Sequence, residues 1–134
     1  MPHVFITGAN RGIGLEHARQ YANQSWQVTA TAREPERAND LQELRVRHGD
    51  AVRIVRLEVT DHSAVEALAD QLNGTPIDIL INNAGTFGPA GAPEGMVYQS
   101  LANMDYVIWR ELLEINLLAP FKMAVALRPN LAAS

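Results

Sequence analysis

Apolar residues in this chain alternate between short unbroken runs and longer stretches at helical spacing. Val4-Phe5-Ile6 is fully apolar and stops at a glycine-rich turn, which predicts a strand buried on both faces. Leu15, Ala18, Tyr21 and Ala22 then recur on one side of a helix over about 12–24. Val28, Thr29 and Thr31 predict a second strand at 27–32. A polar helix follows over 36–47 with Leu41 and Leu44 inward, ended by His48-Gly49-Asp50. Over 52–59, Val52, Ile54, Leu57 and Val59 alternate with Arg53, Arg56 and Glu58. Charges within a strand place it at a sheet edge. A third helix is predicted at 61–72, closed by Asn73-Gly74, then an apolar strand at 77–81. Residues 86–103, rich in Gly and Pro, read as a long loop, and a last helix is expected over 104–127.

Strands alternating with helices predict an α/β fold with a parallel sheet. Right-handed crossovers and an edge-like third strand predict the order 3-2-1-4, a doubly wound sheet of the Rossmann type. The 134 residues are expected to form one domain, 1–134, ordinary in composition at 47% hydrophobic and 19% charged. A net charge of −4 argues against nucleic acid and anionic membrane surfaces as partners. The absence of cysteine excludes disulfides, a thiolate nucleophile and a cysteine metal site, which suits a reducing cytoplasm. The last helix is apolar nearly all round from Leu112 to Leu127, which predicts burial on several sides. Glu114, Asn116, Pro120 and Lys122 interrupt it, so it is no membrane span.

Chemistry concentrates at the carboxyl ends of the strands. Thr7-Gly8-Ala9-Asn10-Arg11-Gly12-Ile13-Gly14 has the spacing Gly-x-x-x-Gly-x-Gly between a strand and a helix. Gly8 allows a sharp exit from the strand, Gly12 a close approach of backbone to phosphate, and Gly14 close packing of helix on strand. The helix start offers free N–H groups to a pyrophosphate. A tight turn that merely needs glycine is the bland alternative. At the end of the second strand, Thr29 to Arg33 contains no carboxylate to hold a ribose 2′-hydroxyl. Arg33 there and Arg11 in the turn would instead clamp a 2′-phosphate, favouring NADP(H) over NAD(H), although Glu34 comes next. Asn82-Asn83-Ala84-Gly85 follows the fourth strand, where small residues admit a ribose and amides tie neighbouring loops. Asn116 is a poor helix former in an apolar helix. Pro120, four residues on, cannot donate to its carbonyl, leaving a carbonyl and an amide that an ordered water would use.

Together these motifs resemble the N-terminal half of the short-chain dehydrogenase/reductase family. Thr7 to Gly14 matches its glycine turn, Leu57-Glu58-Val59-Thr60-Asp61 is similar to its segment at the adenine pocket, Asn82 to Gly85 matches its Asn-Asn-Ala-Gly, and Asn116 its helix asparagine. The carbonyl-reductase-like members are the most similar. The resemblance implies cofactor contacts at Gly8, Asn10, Arg11, Gly12, Ile13, Gly14, Arg33, Glu58, Val59, Asn83, Ala84 and Gly85. It implies hydride transfer to or from a small carbonyl or alcohol, a homo-oligomer built partly on the last helix, and a catalytic Asn-Ser-Tyr-Lys set. Only Asn116 of that set matches here. The Ser and the Tyr-x-x-x-Lys, with their strands, are expected beyond Ser134. Glu58 stands where the family has aspartate, and Tyr106-x-x-x-Arg110 precedes the asparagine and is not the catalytic pair. The reading is therefore an N-terminal fragment of an NADP(H)-dependent oxidoreductase, inactive alone. The alternative is a complete, non-catalytic dinucleotide-binding or interaction module.

Overall fold

The protein is described by a computed structural model over residues 1–89 and 94–134. β1 (His3–Ile6) is the inner strand that organises the rest. It pairs in parallel with β2 (Gln27–Ala32) on one side and β4 (Ile79–Ile81) on the other. β3 (Val52–Arg56) pairs in parallel with β2, so the order is β3-β2-β1-β4, as the sequence pattern predicts.

Alternating side chains of β1 enter two cores. Val4 and Ile6 pack with Leu15 and Ala18 of α1 (Gly12–Asn23) and with Leu41 and Leu44 of α2 (Asn39–His48). Phe5 packs on the opposite face with Val65 and Leu68 of α3 (His62–Gln71) and with Met123 of α5 (Ala119–Ala126). Val4, Phe5 and Ile6 are all 0% exposed, so the apolar run satisfies a strand covered on both faces.

Several boundaries differ from the periodicity. β3 ends at Arg56, not at 59: the Leu57 N–H makes a last 3.0 Å bond to Ala32, then the Asp61 N–H closes a turn on Glu58. β4 begins at Ile79, not at 77, because the Ile77 N–H is spent on the carbonyl of Asn130 (3.1 Å). The predicted 36–47 helix is a short turn, Pro35–Arg37, followed by α2; Ala38 between them has ψ 67°, outside helical geometry.

The single helix expected over 104–127 is divided. α4 (Tyr106–Leu113) runs into a wider π-helical turn, Glu114–Leu118, then α5; a break at Leu127 precedes α6 (Arg128–Ala132). Pro120 cannot supply the N–H that would keep the α-helical ladder in register. The expected burial on several sides is not found. Ala119, Met123 and Leu127 are buried, but Leu117 is 59% and Phe121 71% exposed, since the described residues pack against only one side of this helix. Within the expected 86–103 loop lie two short turns, Glu94–Gln99 and Leu101–Asn103, while residues 90–93, with Gly91 and Pro93, fall outside the described residues. No helix among the described residues is long and apolar enough to cross a membrane.

Two polar anchors seat the α5–α6 segment. Asn130, only 4% exposed, donates from Nδ2 to the carbonyls of Leu72 (2.6 Å) and Thr75 (2.9 Å). Lys122 hydrogen-bonds Glu66 on α3 and holds that carboxyl below its ordinary range. A lowered carboxylate pKa stabilises the fold above the ordinary glutamate value, and that contribution is lost as pH falls through the lowered one. Asn130→Ala strands two carbonyls and is expected to lower the free energy of urea unfolding by about 2 kcal/mol. Lys122→Met should raise the titration midpoint of Glu66, read from its carboxyl carbon by NMR, with only a small change in stability because the Glu66 carboxylate is exposed.

Candidate cofactor-binding site

The chain leaves β1 still tied to both neighbouring strands. The Thr7 N–H donates to Ile81 (3.0 Å) and the Ala9 N–H to Thr31 (2.8 Å). Between them Gly8 turns with φ +62°, and a Cβ there would lie 2.9 Å from the Cα of Ala84. The Thr7 hydroxyl accepts the N–H groups of Asn83 and Ala84, both at 3.0 Å. Asn83 Nδ2 returns a 2.9 Å bond to the Gly8 carbonyl. A Cβ at Gly14 would come within 2.4 Å of that same Nδ2 and of the Gly8 oxygen. The glycine turn and the Asn-Asn-Ala-Gly segment thus form one interlocked unit.

Gly12 differs from its neighbours. Its φ is +59°, yet a Cβ there would meet nothing within 4 Å, so the turn opens onto free space at the start of α1. Arg11 occupies the N-cap position and makes no side-chain cap bond, and no acidic residue sits in the first turn. Uncapped first-turn N–H groups with open space before them fit a bound anion such as pyrophosphate. Asn10, Arg11 and Ile13 are all exposed around this opening.

Beside it lies a cavity of about 340 Å³ lined by Asn10, Arg33, Glu34, Arg37 and Ala38. The structure brings Asn10 and Arg33 together there. Arg11, expected to join Arg33, is not among the lining residues; Arg37 is. The signal for Arg37 lay in the sequence: it follows Arg33 by one turn, and Pro35 between them favours a tight bend. The bend is held from the sheet edge. Arg56 donates to the Arg33 carbonyl (2.9 Å) and pairs with Glu36 (2.6 Å). The Glu36 carboxyl is held below its ordinary range, first by its own backbone N–H and then by Arg56.

Of the remaining candidates, Glu58 and Val59 follow β3, and Asn116 lies between α4 and α5. Val59 is 7% exposed and belongs to the α3 core, while Glu58 is exposed and accepts the Thr60 hydroxyl at 3.1 Å. Asn116 sits in the π-helical turn. Its Oδ1 accepts the Thr86 N–H (2.9 Å) and its Nδ2 donates to the Thr86 carbonyl (2.8 Å). Each end of the amide makes one hydrogen bond that clasps the strand-ending loop. A Cβ at Gly85 would be 3.1 Å from that Oδ1, a tight contact. Sequence reasoning missed Thr86, whose contribution is backbone and so leaves no signal in residue type.

Comparison with known proteins shows the family. The sequence profile described as short chain dehydrogenase matches residues 2–134, and the chain belongs to that family. It is 31% identical over 147 aligned positions to (+)-neomenthol dehydrogenase of Arabidopsis thaliana, covering 98% of this chain and 50% of that protein. Against an uncharacterized oxidoreductase of Bacillus subtilis the identity is 42% over 86 residues, 62% of this chain and 30% of that protein. A carbonyl reductase of Pseudomonas aeruginosa solved in complex with NADP superposes with a TM-score of 0.86 at 35% identity, covering 97% of this chain and 56% of that one. The chain thus spans about half or less of the length of these relatives. Because a Cβ at Gly14 would meet both Asn83 and the Gly8 carbonyl, Gly14→Ala is expected to lower stability by about 2 kcal/mol in urea unfolding, despite alanine's better helix propensity. An unchanged midpoint would show that Asn83 can move aside freely.

Proposed function

We propose that residues 1–134 form the dinucleotide-binding domain of an NADP(H)-dependent oxidoreductase that moves hydride between nicotinamide and a small carbonyl or alcohol. The observation that carries the cofactor choice is the cavity beside the glycine turn, where Arg33 and Arg37 lie at the end of β2. Guanidinium groups bind phosphate in paired, charge-assisted hydrogen bonds. The NADP complex of the Pseudomonas carbonyl reductase supports the same choice.

In this reading the first-turn N–H groups around Gly12, Ile13 and Gly14 hold the pyrophosphate, and Gly8 lets the turn seat against Ala84. Asn10 and Arg33 receive the adenosine 2′-phosphate. Glu58 and Val59 border the adenine, and Asn83, Ala84 and Gly85 border the second ribose. The nicotinamide supplies or accepts the hydride when bound. Asn116 orients the loop at Gly85 and Thr86, and its backbone carbonyl faces no N–H at Pro120. No tyrosine follows Asn116 in these residues, so the proposed acid/base set is incomplete in them and they do not turn over alone. The exposed apolar side chains of Leu113, Leu117, Phe121 and Val125 favour self-association in the cytoplasm.

Calorimetric titration tests the cofactor assignment. Arg33→Ala is expected to weaken NADPH binding by about ten- to a hundredfold and NADH binding little; equal losses for both would overturn the assignment. NADPH consumption over a panel of aldehydes and ketones separates the alternatives for activity. Turnover by residues 1–134 alone would refute the incomplete acid/base set. Absence of binding to either dinucleotide would favour a non-catalytic interaction module.

A further inference from the structure

We propose that Glu34 and Arg37 form an exchangeable ion pair that sets how strongly this site discriminates NADP(H) from NAD(H). The inference rests on the cofactor reading above. Both residues line the 340 Å³ cavity with Arg33, and Arg37 Nη1 lies 3.1 Å from Glu34 Oε2. A carboxylate at this place has two possible effects. It can accept the 2′-hydroxyl of NAD(H), or it can repel the 2′-phosphate of NADP(H). Here the carboxylate already has a partner within the same bend.

The geometry makes that partner easy to exchange. The Arg37 and Glu34 side chains are 76% and 56% exposed. An exposed pair of this kind shifts an equilibrium by no more than about fivefold. A phosphate dianion offers Arg37 stronger, paired hydrogen bonds. Arg37 therefore leaves Glu34 when a 2′-phosphate enters and stays on Glu34 when a 2′-hydroxyl enters. The other acid of the bend, Glu36, does not compete, because Arg56 holds it from β3. Among the described residues no ion pair engages Arg33, so the cavity has one open guanidinium and one on loan. Glu34 opposes the phosphate twice, by its own charge and by holding Arg37.

Titration of the protein and its variants with NADPH, NADH, 2′,5′-ADP and 5′-AMP tests this. Glu34→Gln should tighten NADPH and 2′,5′-ADP binding by about three- to tenfold. NADH and 5′-AMP should stay within about twofold. Arg37→Ala should weaken NADPH binding by about tenfold, and by clearly more in the Glu34→Gln background, since Glu34 then no longer competes with the phosphate for the guanidinium. Weaker NADH binding by Glu34→Gln would overturn the inference, because Glu34 would then hold the ribose hydroxyl itself. Unchanged NADPH binding by Glu34→Gln, or an Arg37→Ala loss equal in both backgrounds, would overturn it too. Wild-type protein that binds NADH more tightly than NADPH would instead refute the cofactor reading beneath it. Circular dichroism of each variant checks that the fold is retained.

Discussion

The clasp between the end of β1 and the end of β4 is the contact on which the rest of the site depends. One hydroxyl, that of Thr7, accepts two backbone N–H groups from Asn83 and Ala84, and one amide, that of Asn83, caps the Gly8 carbonyl. Two segments far apart in sequence are thereby held at a distance that leaves no room for a side chain at Gly8 or Gly14. Buried backbone groups must be paired, and the strand ends would otherwise expose theirs. Satisfying them with side chains instead of more strand lets the chain turn away from the sheet. The opening at Gly12 exists because the turn on either side of it is locked.

A second layer of constraint comes from the sheet edge. β3 carries Arg53 and Arg56 outward, which suits an edge strand. Arg56 also fixes the backbone of Arg33 and neutralises Glu36. A residue that keeps an edge solvated therefore also shapes the bend that borders the candidate phosphate site. Stability and recognition share the side chain, although it does not line the cavity.

The C-terminal helices show the opposite balance. One face is pinned through Met123, Lys122 and Asn130, while Leu117, Phe121 and Val125 remain largely exposed. The π-helical turn sits between, and it brings Asn116 onto the Thr86 backbone. A wider turn costs regular hydrogen bonding, and here the cost coincides with a proline that could not have supported the regular ladder.

Residue pattern alone determined the element order, the parallel sheet, the edge position of β3 and the location of the glycine turn. Each follows from local periodicity or from a backbone conformation that only certain residues tolerate. Asn83 and Asn116 were visible as amides in unusual places, but their partners were not. Tertiary structure decided that Asn83 serves Gly8, that Asn116 clasps Thr86, and that Arg37, not Arg11, lines the cavity with Arg33. It also ended β3 at Arg56 and divided the last helix. Those outcomes turn on which chain segments approach within hydrogen-bond distance, and no spacing along a single segment encodes the position of another.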